Sequence, residues 1–260
     1  MAEEPIVAPV ETIDDPETNA MVEAGVFVGR TKTKTYPRMR PYILTTRNNV
    51  EIIHMGKILE KLDEVMDFVK AKAAAKTSML FVGTQPAALE AVTDIQKAFG
   101  YPAVSVRWLG GTLTNYKVIS KRLEYYKKLK ADNAVGAFEK YTKKEQLGIR
   151  KELEKMDELM SGMENMTTRP DVLVVIDPNS HKAAIREARK LNIPIVAYVN
   201  TDTNPDDVDY FVPGNTKSRL SINWFLAKIK EAIQEGQKEA AAIAVKKEAA
   251  PVAKKAAPAA

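Results

Sequence analysis

Five short, nearly continuous apolar runs, spaced apart by amphipathic stretches, leave this chain few ways to fold. The runs are 78–83 (SMLFVG), 103–107 (AVSVR), 171–177 (DVLVVID), 193–199 (IPIVAYV) and 208–212 (VDYFV). A strand with one wet face alternates apolar and polar residues, whereas a strand apolar throughout is covered on both faces, as in a parallel sheet. Around the runs, apolar residues recur at helical spacing. Ile58, Leu62, Val65, Met66 and Val69 mark one side of a helix over 57–76, and Pro86 opens a second over 86–99. An amphipathic helix spans 181–191, and Ile222, Phe225, Leu226, Ile229 and Ile233 line a closing helix over 218–235. Strands alternating with helices in this way predict an α/β fold, a doubly wound parallel sheet with helices on both faces.

One stretch breaks the rhythm. Residues 114–163 hold no strand-like run and carry two apolar stripes instead, on either side of Gly136. The first is Val118, Ile119, Leu123, Tyr126 and Leu129, and the second is Leu147, Leu153, Met156, Leu159 and Met160. Two antiparallel helices forming a coiled-coil hairpin, inserted where a crossover helix would sit, account for both. The α/β core is therefore expected at 21–113 and 164–236. Residues 1–20 combine acids with Pro5, Pro9 and Pro16, and 237–260 is an Ala- and Lys-rich tract with Pro251 and Pro258. Neither end has the apolar periodicity that would offset the entropy of ordering, so both are expected to be disordered.

The net charge of +5 conceals a strong polarity. Residues 1–23 hold seven acids and no base, so the rest of the chain carries +12. That excess sits in two windows. Residues 24–57 set seven bases against Glu51, and 101–130 set seven against Glu124, +6 in each case. Positive charge clustered in this way suits a polyanion, and nucleic acid before membrane. No run approaches the roughly 20 apolar residues that span a bilayer, and the start lacks the basic residues of a signal peptide. A soluble, cytoplasmic protein is expected. The absence of cysteine removes disulfides, thiolate metal sites and cysteine nucleophiles. His54 and His181 stand far apart with no ligand spacing around either, so no metal or other cofactor is expected.

An enzyme of this fold would work at the carboxyl ends of its strands, near Gly83-Thr84, Asp177 and 200–202. No G-x-G-x-x-G or G-x-x-x-x-G-K-[ST] follows the first strand, so no known phosphate cradle is present and no small-molecule substrate is expected. Asp177 could act as a base, but Asp-Pro at a strand end is ordinarily a turn or helix-start device. Asp202, Asp206, Asp207 and Asp209 fit no calcium loop and read as an exposed acidic loop. His54 and His181 read as surface or helix-start residues.

Two other strings carry more. In 30–42 (RTKTKTYPRMRPY) bases alternate with Thr and Tyr, and Pro37 and Pro41 should hold the backbone extended. An open arm presenting Arg30, Lys32, Lys34, Arg38 and Arg40, with Arg47 beyond it, could pair phosphates and stack aromatics on bases. In 106–117 (VRWLGGTLTNYK), Gly110-Gly111 permits a tight turn and Thr112 or Thr114 can cap the following helix. Arg107, Trp108, Asn115 and Lys117 would then share one corner, with Lys121 and Arg122 just beyond.

The string RWLGGTLTN closely resembles the signature of the ribosomal protein S two family in its bacterial form. The resemblance runs from about 22 to 236 through 24–29 (AGVFVG), 37–43, 47–53, 80–84 (LFVGT), 138–145 (FEKYTKKE), 169–178 (RPDVLVVIDP) and 188–215. It implies a flavodoxin-like fold with an inserted coiled coil, and a non-catalytic role in the small ribosomal subunit. It also implies binding to small-subunit rRNA near the junction of head and body, contacts with neighbouring small-subunit proteins, and help in recruiting ribosomal protein S one. The rRNA-binding candidates are the twelve arm and corner residues named above. Where the family commonly has two histidines this chain has Phe27 and Arg30, so no role of those histidines carries over. A family Trp-Asn is Thr35-Tyr36 here. The basic pair usual after VGT is Gln85-Pro86, and the acids usual after PGN are Thr216-Lys217.

Overall fold

The computed structural model describes residues 16–249. Helix α1 (Pro16–Ala24) leads into β1 (Val28–Thr31), β2 (Ile43–Arg47) and β3 (Val50–Ile53), an antiparallel sheet ordered β1-β3-β2. The chain then alternates through α2 (Met55–Ala74), β4 (Met79–Val82), α3 (Pro86–Phe99) and β5 (Ala103–Val104). Helices α4 (Tyr116–Ala134) and α5 (Lys143–Met160) follow, then β6 (Val172–Ile176), α6 (Lys182–Lys190), β7 (Ile195–Val199), β8 (Tyr210–Pro213) and α7 (Arg219–Ala249). The second sheet runs β5-β4-β6-β7-β8 with every pairing parallel. Counting its own strands from the first, that order is 2-1-3-4-5, the flavodoxin-like arrangement.

Alternation along each strand divides the core in two. Met79 and Phe81 of β4 face one way with Val172, Val174 and Ile176, packed under α2, α3 and α7. Leu80 and Val82 face the other with Leu173, Val175 and Ile195, under α4, α5 and α6. Helices therefore cover both faces, as the unbroken apolar runs require. Among the described residues no helix is long and apolar enough to cross a membrane.

The structure corrects the expectation in four places. The arm 30–42 is not open. Its middle folds into two 3₁₀ turns, Lys32–Lys34 and Pro37–Tyr42. Proline's fixed φ near −65° suits such a turn as well as it suits extended chain, and Thr31, Thr35 and Tyr36, which flank the turns, keep an extended ψ. Buried Met39 anchors the second turn against Ala197 and Val199. Beyond it, Asn48 and Asn49, at φ 47° and 63°, make the tight turn that joins β2 to β3.

Residues 16–20, expected to be disordered, belong to α1. Buried Met21 and the Glu17–Lys228 ion pair (2.6 Å) dock it on α7, supplying order that nine residues lack alone. At the other end α7 passes through Gly236 and continues to Ala249, where a tail was expected from 237. The rest of the acidic stretch, 1–15, and of the tail, 250–260, lie outside the described residues. Finally, α4 and α5 pack together through Ile119, Leu123, Tyr126, Leu129, Met156 and Met160, but Val118 and Leu147 are exposed and lie off the seam. Thr142 and Glu145 start α5 with a reciprocal capping box.

Candidate nucleic-acid interface

Because the second sheet is parallel, the loops after β5, β4, β6 and β7 all leave by the same edge; the Gly-Gly corner follows β5 there, and the arm touches that edge at Thr201 before crossing β7 and β8. The arm is pinned to the end of β7: Tyr36 N–H donates to the Thr201 carbonyl (2.8 Å) and Arg30 N–H to Thr201 Oγ1 (2.9 Å). The one acid of this window, Glu51, is buried, its carboxylate accepting from Thr35 (3.3 Å) and Thr46 (2.8 Å) hydroxyls. Its charge is thus withdrawn from the surface while the bases remain there.

Those bases divide into two groups. Arg30 Nε donates to Asp202 Oδ2 at 3.3 Å, and Arg38 pairs with Asp206. Arg189 takes Asp207 (3.0 Å), and Asp209 accepts from Ile195 N–H (2.8 Å). The acidic loop therefore holds arginines and a strand end together. Lys32, Lys34, Arg40 and Arg47 are exposed, and the first three have no ion-pair partner among the described residues.

The Gly-Gly corner is built around a residue that sequence reasoning missed. Glu187, on α6, accepts from Trp108 Nε1 (3.1 Å), Gly111 N (2.8 Å), Leu113 N (3.0 Å), Thr114 N (3.2 Å) and Thr114 Oγ1 (3.2 Å). Burial pushes its carboxyl pKa up, but the backbone N–H of Gly111, the indole N–H and the two further amides outweigh that and hold it below the ordinary range. In sequence Glu187 sits in IREARK, where an acid among bases reads as a solvated helix pair, so nothing local marks it. Gly111 supplies the φ of +88° that the turn needs.

Two expectations for this corner change. Neither threonine caps α4: Thr114 is drawn to Glu187, Thr112 Oγ1 donates to the Leu109 carbonyl (2.6 Å), and Asn115 occupies the cap position without a side-chain bond. Trp108 is half-buried and fixed by its N–H rather than projecting freely. Arg107, Asn115, Lys117, Lys121 and Arg122 are all exposed around the turn and the first turns of α4.

Between arm and corner lies a buried polar cluster at the ends of β4 and β6. Asp177, only 2 % exposed and at φ 61°, accepts from Lys217 Nζ (2.8 Å), Ser180 Oγ (3.1 Å) and Gln85 Nε2. Asp177 thereby ties together the loops after β4, β6 and β8, and it stands at the start of the turn Pro178–His181, as the turn reading of Asp177-Pro178 expects. His181 takes the helix-start position expected of it, but it is buried, not on the surface. Thr84 N–H donates to its Nε2 (3.2 Å), so the ring proton sits on Nδ1 and is donated to the Asp177 carbonyl (2.9 Å). Burial holds its pKa below the ordinary value. His54 is exposed at the cap position of α2.

A comparison with protein families agrees with this architecture. The family described as Ribosomal protein S2 matches residues 21–236, a span that takes in the basic arm, the Gly-Gly corner, the α4–α5 pair and the whole parallel sheet. With far more than half its length matched, the chain belongs to the ribosomal protein S2 family.

Proposed function

We propose that this protein is a non-catalytic structural constituent of the small ribosomal subunit that binds small-subunit rRNA near the head–body junction. Family membership makes it a small-subunit ribosomal protein. The observation that carries the RNA reading is the set of bases left exposed on the arm and around the Gly-Gly corner. Lys32, Lys34, Arg40, Arg107, Lys117, Lys121 and Arg122 are all exposed there, and the acid of the arm window is buried. Such an array meets phosphates without sequence preference, and rigid loops set its register. The α4–α5 pair acts as a coiled-coil hairpin insertion reaching beyond the sheet. Neighbouring small-subunit proteins, and ribosomal protein S one in cells that have it, complete the partners.

The test is sedimentation. The chain should travel with small subunits through a sucrose gradient, and the Arg107→Ala, Lys117→Ala, Lys121→Ala, Arg122→Ala variant should be lost from that peak while keeping its fold. A wild-type chain that stays at the top of the gradient overturns the reading.

A further inference from the structure

We propose that the recess beside the Gly-Gly turn seats one unpaired RNA nucleotide, its base against the Trp108 indole and its phosphate between Arg107 and Lys155. Two hollows, of about 370 and 290 Å³, adjoin here and share Leu109, Lys155 and Leu159. The larger falls within the small end of ligand pockets, roughly 300–1,000 Å³. Val106, Trp108, Leu109 and Leu159 give it an apolar wall, and its charged lining is two cations, Arg107 and Lys155, against one acid, Glu158. Arg122 lines the smaller hollow.

The chemistry selects the occupant. The only polar atom of the indole is already bonded to Glu187, so the ring is held still and offers only its apolar surface. A rigid aromatic beside cations is the arrangement that captures an unstacked base and its phosphate. A continuous duplex has no base to give it, because paired bases remain stacked.

This inference rests on the RNA-binding reading, and the experiment separates the two. Trp108 becomes the sole reporter in a Trp224→Phe background, a mild change because the Trp224 N–H is buried without a partner. The probes are a short RNA duplex and the same duplex with one unpaired adenosine, at 50 mM salt. The bulged RNA should bind about tenfold tighter and quench Trp108 emission. Arg107→Ala with Lys155→Ala, both at exposed positions, should narrow that ratio. Equal affinities with unchanged emission overturn the nucleotide seat and leave RNA binding standing. Failure to bind either probe overturns both.

Discussion

Replacing Glu187 by Gln keeps the side chain's length but turns one of its acceptor atoms into a donor aimed at N–H groups. Five donors converge on that carboxylate, so Glu187→Gln should cost about 2 kcal/mol or more in urea denaturation. Its pKa lies below the ordinary 4.5, so its contribution is complete above that pH and is lost as pH falls through the depressed value. His181 acts earlier. Its folded-state pKa is below the ordinary 6.5, so the unfolded chain takes up the proton first and stability drops as pH falls from 6.5. His181→Gln should abolish that drop between pH 7 and 5.5, read as denaturation midpoints; an unchanged slope would assign it elsewhere. At this scale the sequence was legible for charges and opaque for their partners. Gln85 and Lys217 stand in separate loops, yet both reach Asp177. Only the fold brings residues 40 and 92 positions away to one carboxylate.

Among the elements, Gly236 offers the sharpest test. Read along the chain, a glycine before an Ala- and Lys-rich tract marks a helix end; in the structure it lets α7 cross α2. A Cβ there would strike the Lys70 carbonyl and the Ala73 methyl, and Lys70 bonds Glu235 (3.3 Å) and Glu239 (2.8 Å) on either side. Gly→Ala inside a helix ordinarily gains roughly 0.5–1 kcal/mol, but Gly236→Ala should instead destabilise by about 1–3 kcal/mol through overpacking. A raised melting temperature would refute the crossing. The parallel strands were legible because burial on both faces writes itself into composition. The antiparallel sheet was not: four of the five residues of β2 are exposed, and proline admits both extended chain and 3₁₀ turn. Helix α1 was hidden for the same reason, its order coming from α7 and not from its own pattern.

For the molecule as a whole, the proposed phosphate contacts from the arm and the corner imply steep salt dependence. Neutralising about five phosphates predicts a several-hundred-fold loss of rRNA affinity between 50 and 200 mM salt. The quadruple variant at the corner should lower the logarithmic slope by roughly three to four. Filter binding across that range checks both, and a flat response would sink the electrostatic account. The pinning of the arm to Thr201 has a further consequence, for synthesis. Arg30 and its acceptor lie 171 positions apart. At roughly 5–20 residues per second, the ribosome making this chain exposes the basic arm about 10–30 s before its seat exists. For that interval the nascent chain trails an unanchored polycation, so the first part of the interface to be translated is the last to take shape.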